Sequence, residues 1–303
     1  MNTVSMSEVM NTVSSPTGAN AAQPMISRIV PSQVERTAGM LCSKTIEQAS
    51  QRFRSDGALI IEDILDPVII AEARREFTKS YSRYLDGSEH EDALTVGGRR
   101  LTITIDLEPP FNNPQLFANP YLLPIISAVL DDDFVIGAYG VVCSLPSAPA
   151  QHRHCDGGDL FPHSGIDRLL PAAAITVGIP LLEMNEVHGT TALWLATHRD
   201  VSRSNALRDA SQNCTFEHEG IAPVVREGSC ILWDFRLVHG GTPNRSAVPR
   251  PLLYLTYCRP WFLDHKNFDT NRNPKQKPLL AKADFLSGLS EQQQGLLVRA
   301  RGR

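Results

Sequence analysis

Two segments hold residues whose types and spacing can do chemistry: Gln151-His152-Arg153-His154-Cys155-Asp156-Gly157-Gly158 and Trp233-Asp234-Phe235-Arg236-Leu237-Val238-His239-Gly240-Gly241. His154 and Asp156 stand two apart, so on an extended strand both project from one face while Cys155 points away. His239 supplies a third ligand from a distant part of the chain. Two imidazoles and one carboxylate on one side of an ion leave the opposite positions open, which is the donor set of a non-haem iron(II) oxygenase. The open positions are required, because a co-substrate and dioxygen must reach the same metal. Arg250 adds a fixed cation. A guanidinium forms a planar two-pronged pair with a carboxylate, so at a barrel floor it would hold the far carboxylate of 2-oxoglutarate while the keto-acid end chelates iron. Arg245, in the turn Pro243-Asn244-Arg245-Ser246, and Arg259, on the opposite face of an unbroken strand, are its rivals.

These side chains need rigid elements to converge. Ile231, Trp233, Phe235, Leu237 and His239 alternate, so a strand over Cys230–His239 would put His239 at the end of an inward row. Arg250 starts the next strand and shares a face with Leu252, Tyr254 and Thr256. Other β-rich runs are Phe134–Leu145, Ala174–Leu182, Thr191–Leu195 and Leu252–Tyr257, separated by turn-rich segments. Ahead of them, Ile46, Ala49 and Phe53 have helical spacing with Gly57 as a stop. Ala58–Ile61 and Leu101–Ile105 read as strands and Tyr121–Leu130 as a helix. Asp66-Pro67 opens a further helix as N-cap and first residue. Helices first and short strands later predict an α+β fold: an antiparallel double-sheet barrel, the jelly-roll or double-stranded β-helix, with flanking N-terminal helices. The expected divisions are a flexible tail over 1–40, the barrel domain with its helical support over 41–265, and a C-terminal extension over 266–303. Order is expected to begin near Thr45, and Ala283–Arg299 to form a terminal helix.

The chain has 303 residues, 42% hydrophobic and 20% charged, with a net charge of −4. That balance provides no global field for nucleic acid or an acidic membrane surface. Arg299, Arg301 and Arg303 read as a solvated basic end. Six cysteines lie at 42, 143, 155, 214, 230 and 258 without a Cys-x-x-Cys pair, which argues against a zinc ribbon. Reduced thiols, no apolar run of membrane-spanning length and no secretory leader lead to the expectation of a cytoplasmic protein. Its expected partners are a small molecule and O2, and a homodimer is compatible with the composition.

The ordered set Gln151-x-x-His154-x-Asp156, Gly189-Thr190-Thr191 with Thr197-His198-Arg199, Trp233-Asp234 followed by His239-Gly240-Gly241-x-x-Asn244, and Arg250 resembles the phytanoyl-CoA dioxygenase family. Phe53-Arg54-Ser55-Asp56-Gly57-Ala58 is similar to that family's N-terminal entry, and the resemblance spans about residues 45–262. It implies an Fe(II)- and 2-oxoglutarate-dependent dioxygenase with His154, Asp156 and His239 on the metal. It also implies that Gln151 and Thr191 join Arg250 in the 2-oxoglutarate pocket. Decarboxylation to succinate and carbon dioxide would accompany hydroxylation, desaturation or rearrangement at an unactivated C–H bond. Halogenation is disfavoured, since halogenating relatives lack the carboxylate that Asp156 provides. One departure is Leu195-Ala196-Thr197-His198, where the family usually has a Pro-Gly-Ser-His turn.

The same residues have plainer readings. His152 reads as a solvated strand neighbour, Trp233 and Phe235 as core, Cys155 as packing, and Arg99 with Arg100 as a solvated pair, although either could reach a substrate acid group. Gln151 and Thr191 could equally serve ordinary polar satisfaction. A competing function is a cupin-type metal enzyme without 2-oxoglutarate, built on His152, His154, Asp159 and His239. Another is a non-catalytic barrel that binds a small ligand. The loop Gly157–Pro171, with Leu160, Phe161, Leu169 and Leu170, is expected to shape the cavity mouth for a small or medium, largely apolar metabolite of natural-product biosynthesis. The absence of a concentrated basic patch argues against a CoA thioester.

Overall fold

The computed structural model describes residues 25–157, 160–161, 164–200, 220–264, 267 and 278–300. Asp159, Cys214, Arg301 and Arg303 lie outside the described residues.

Chain order begins with strand β1 (Arg28–Ile29), helices α1 (Gln33–Ala38) and α2 (Ser43–Asp56), strand β2 (Ala58–Ile61) and helix α3 (Pro67–Ser80). Strands β3 (Leu94–Gly97) and β4 (Arg100–Thr104) follow, then helices α4 (Pro114–Phe117) and α5 (Leu123–Leu130). The β-rich half holds β5 (Val135–Ser144), β6 (Ala174–Pro180), β7 (Thr191–Trp194), β8 (Cys230–Asp234), β9 (Val238–Gly241) and β10 (Arg250–Cys258). Helices α6 (Ala283–Ser287) and α7 (Glu291–Leu296) close the described chain.

The strands form a large sheet in the order β1-β2-β8-β6-β10-β5-β4-β3, facing a small sheet of β7 and β9. Single bridges from His154 to His239 and from Ile221 to Leu193 widen the small sheet on both sides. The pairings within the large sheet are antiparallel except β1 with β2. This is the expected α+β barrel with helical support.

Period-two alternation divides the large sheet between two environments. On β10, Leu253, Leu255 and Tyr257 join the main core, together with Phe53 of α2, Ile70 and Phe77 of α3, and Ile125 and Ile126 of α5. Their neighbours Arg250, Leu252, Tyr254 and Thr256 line the barrel cavity. The helical layer is also tied by polar bonds, since Tyr257 Oη donates to Phe117 O at 2.9 Å and Tyr139 Oη to Phe111 O at 2.8 Å. Tyr257→Phe would leave a buried carbonyl without its donor. The expected loss is about 1–2 kcal/mol of unfolding free energy, seen as a lower denaturant midpoint with unchanged metal binding.

Several local signals behave as read. Asp66 accepts from Val68 N at 2.8 Å with Pro67 at the first turn of α3. Gly57 ends α2 at φ 78°, and a Cβ there would lie 2.4 Å from His198 Nδ1, so glycine is required on both counts.

Other expectations are corrected. Structure begins ahead of Thr45, because Ser32 and Glu35 form a reciprocal capping box that starts α1, and β1 pairs with β2. The single terminal helix is two helices and a final 3₁₀ turn (Val298–Ala300), interrupted where Ser290 caps α7. The strand over Cys230–His239 is broken. A turn closed by Leu237 N donating to Asp234 O at 2.8 Å carries the chain from the large sheet to the small one. Asp234 stabilises this turn by accepting from Arg236 N at 2.9 Å. His239 therefore reaches the cavity through a bend, and Phe235, which still lines the cavity, also packs on Phe262.

Candidate metal centre

His154 lies on an irregular segment stitched to β9 by His154 N donating to His239 O and His239 N to His154 O, both at 2.9 Å. These bonds set the two histidines side by side, with ring centroids 4.3 Å apart. Each ring has its Nδ1 at 2.9 Å from a carbonyl oxygen, His154 to His152 O and His239 to Leu237 O. A carbonyl only accepts, so the proton sits on Nδ1 and the Nε2 lone pair is left for a metal. Asp156 completes the group. One ligand atom from each of His154, Asp156 and His239 falls within 4.8 Å of the others. Asp156 Oδ2 accepts from Thr176 Oγ1 and Trp233 Nε1, each at 2.8 Å. Its Oδ1 faces His239 Nε2 at 3.4 Å. One oxygen is thus held by the protein and the other is presented beside the imidazoles.

The electrostatics suit a cation. Burial, then the neighbouring His239, pushes His154 down to about 4, keeping it neutral at physiological pH. Burial alone would raise the Asp156 carboxyl, but His239, His154 and the Thr176 bond outweigh it and hold Asp156 below the usual carboxylate range. Two imidazoles and one carboxylate fit a divalent transition metal with positions left open.

The cavity around this group measures about 260 Å³. Its far end is cationic. Arg250 on β10 and Arg100 on β4 both pair in register with Ser144 of the intervening β5, so the three side chains emerge together. Arg100 donates to Ser144 Oγ at 3.2 Å, Thr242 O at 3.0 Å and Pro149 O at 3.3 Å. Arg250 is 2% exposed, and among the described residues its Nε and Nη1 have no hydrogen-bond partner. Burial and the adjacent Arg100 lower its pKa to about 10. A buried guanidinium with unmet donors in a cavity fits the distal carboxylate of a dicarboxylate.

The remaining expected residues are also located. Gln151 and Thr191 line the same cavity. The Gln151 amide is engaged by the protein, accepting from Gly241 N at 3.0 Å and donating to Val96 O at 2.7 Å. The rivals of Arg250 turn away, Arg245 to Glu186 O and Arg259 to Asp131 and Ala172 O. His152 is exposed, with its ring 5.2 Å from that of His154. The described apolar residues of the 157–171 loop do not line the metal cavity. Leu160 and Leu170 instead border a small recess beside Phe235 and Phe262. In the departing Leu195-Ala196-Thr197-His198 segment, Thr197 accepts from Val238 N at 3.0 Å and donates to Trp194 O at 2.6 Å, which ties this turn to the entry of β9.

Three participants are missed or misjudged by sequence reasoning. Arg100, read as solvated in preference to reaching a ligand acid group, is 1% exposed and faces the cavity. Trp233 and Thr176 orient Asp156, and only the inward alternation of Trp233 hinted at it. Trp233→Phe keeps an aromatic ring, though a smaller one, and removes the donor to Asp156. The expected result is a weakening of iron(II) binding by about tenfold or more, measured by anaerobic titration of the variant once circular dichroism shows that it is folded.

Comparison with known proteins agrees with this geometry. Residues 53–252 match the phytanoyl-CoA dioxygenase (PhyH) family. The chain belongs to that family, and it is an oxidoreductase of the Fe(II)- and 2-oxoglutarate-dependent dioxygenase class. It is 23% identical over 213 residues to "Dioxygenase trt7" of Aspergillus terreus, covering 67% of this chain and 70% of that one. Against "Fe(II)/2-oxoglutarate-dependent dioxygenase nvfF" of Aspergillus novofumigatus it is 23% identical over 223 residues, with 67% and 70% covered. Its fold is similar to the crystal structure of the non-heme alpha ketoglutarate dependent epimerase SnoN from nogalamycin biosynthesis. That match has a TM-score of 0.52 at 16% identity and covers 72% of this chain and 84% of that one.

Proposed function

We propose that this chain oxidises an unactivated C–H bond of a small, largely apolar metabolite, with His154, Asp156 and His239 holding iron(II) and Arg250 holding 2-oxoglutarate. The observation that carries the reading is the shared cavity: a set of metal donors at one point and a buried guanidinium with unmet donors beyond it. When bound, iron(II) and 2-oxoglutarate supply dioxygen activation, with release of succinate and carbon dioxide.

The chain's own residues have separate tasks in this reading. Trp233 and Thr176 fix the Asp156 carboxylate so that one oxygen faces the metal position. The His152 and Leu237 carbonyls fix the imidazole tautomers. Arg250 orients the dicarboxylate, and Arg100 adds positive charge beside it. Gln151 braces β9 against the β3 segment and, with Thr191, walls the co-substrate pocket. Leu94, Val96 and Leu252 give that cavity apolar surface, which favours a substrate body of hydrocarbon character. The place of SnoN in nogalamycin biosynthesis and the two fungal dioxygenases support a role in natural-product metabolism.

No described helix is long and apolar enough to cross a membrane, and the reading extends to a cytoplasmic enzyme without nucleic-acid partners. Oxygen uptake and succinate release are the test. Succinate should form only when iron(II) and 2-oxoglutarate are both supplied. Oxygen consumption that does not need 2-oxoglutarate would favour the cupin-type alternative.

A further inference from the structure

The space inside the barrel continues past the metal centre. The inward row of β10 runs from Arg250 through Leu252 and Tyr254 to Thr256 along the main cavity. A second cavity of about 240 Å³ adjoins the first, sharing Thr256 and Asp264 with it. Gly137 and Ala138 of β5, Cys258 of β10 and Arg299 form other parts of its wall. Arg299 belongs to the basic end expected in solvent, yet it is clamped against the barrel. Its Nη2 donates to Pro260 O at 2.7 Å and Phe262 O at 2.8 Å, and its Nη1 to Cys258 Sγ at 3.3 Å. A guanidinium carries five N–H donors, so the Nε proton and one Nη1 proton remain for a guest. Asp264 brings a negative charge to the same chamber, with its carboxylate tied to Asn267 N at 3.0 Å and Nδ2 at 2.8 Å. Position 137 keeps the chamber open. A Cβ there would stand 3.0 Å from Cys258 Sγ and 3.5 Å from Arg299 Nη1.

We propose that this chamber is a specificity subsite for the far end of the substrate, and that it takes a neutral oxygen function whose lone pair accepts from Arg299. A hydrocarbon end would cover the guanidinium's remaining donors without replacing water, which is costly. A carboxylate end would be drawn to Arg299 but opposed by Asp264 across the same space. A ketone, ester or hydroxyl oxygen meets both conditions. The inference rests on the dioxygenase reading and narrows its substrate class: an apolar centre near the metal, and an oxygen-bearing end near Arg299.

Two sesquiterpenes of similar shape serve as probes, the hydrocarbon valencene and its ketone nootkatone. Equilibrium dialysis with the full chain, kept anaerobic, is run with iron(II) and 2-oxoglutarate and again with neither. The expected result in both conditions is that nootkatone binds about tenfold more tightly than valencene. Arg299→Leu should reduce that preference to within about twofold. Gly137→Leu fills the chamber from β5, pressing on the Cys258 thiol and on Arg299 Nη1, and should weaken nootkatone by about tenfold. Circular dichroism establishes that each variant is folded. Equal dissociation constants in the unaltered protein, including absence of binding by either probe, would overturn the proposal. So would a preference that survives in either folded variant. Failure of the dioxygenase reading would appear separately, as lack of iron(II) and 2-oxoglutarate retention in the same dialysis cells.

Discussion

Replacing Arg250 with leucine is expected to raise the KM for 2-oxoglutarate by about 30-fold or more while making the ligand-free protein harder to unfold. The first effect follows from the loss of charge-assisted, two-pronged hydrogen bonds in a site 2% exposed. Truncating one side of such a buried contact costs about 2–5 kcal/mol of binding, or roughly 30- to 5,000-fold. The second effect follows from what Arg250 does without its anion. It stands buried beside Arg100, with two nitrogens lacking partners among the described residues. A leucine removes the desolvated charge and its repulsion, which is expected to add about 1–3 kcal/mol to folding. Steady-state kinetics and thermal unfolding of the same preparation give both numbers. A purely structural arginine would predict the opposite pair, lower stability and unaltered KM.

Asp156→Ala should have the other large effect. Removing a residue that only orients a metal ligand costs about 10- to 100-fold in affinity, so removing the carboxylate itself is expected to exceed about 100-fold for iron(II). Succinate formation should be lost with it. The two imidazoles keep their backbone anchors at His152 and Leu237, so the fold should survive. Residual metal can then be titrated as a two-histidine site. Retention of tight iron(II) binding in this variant would remove Asp156 from the ligand set.

Much of the site was legible because its spacing is local. His154 and Asp156 declare a shared face by standing two apart, and Arg250 declares its direction through Leu252, Tyr254 and Thr256. All four line the same cavity, as that alternation requires. Gly57 and Asp66-Pro67 were equally readable, since caps act within a few residues. What stayed hidden depends on pairing across the sheet. Arg100 sits on a polar strand face that reads as solvated, and only β5 passing between it and Arg250 makes that face an interior. Trp233 looks like core until Asp156 arrives from another segment to accept its N–H. The bend at Asp234 is masked by an apolar alternation that runs straight through it, and the turn is set by Asp234's own hydrogen bonds. The polar stretch before residue 41 conceals β1 and α1 for a related reason, because capping by Ser32 and Glu35 carries what hydrophobic periodicity does not. Arg299 reads as tail because two of its partners are carbonyls, which leave no mark in side-chain pattern, and the third is a thiol that reads as packing.

The most direct test is a crystal structure of the full chain grown anaerobically with iron(II) and 2-oxoglutarate. The expected result is one iron ion bound by Nε2 of His154, Nε2 of His239 and an Asp156 oxygen, with the distal carboxylate of 2-oxoglutarate paired to Arg250. Iron bound elsewhere, or 2-oxoglutarate bound without touching either Arg250 or that ion, would contradict it.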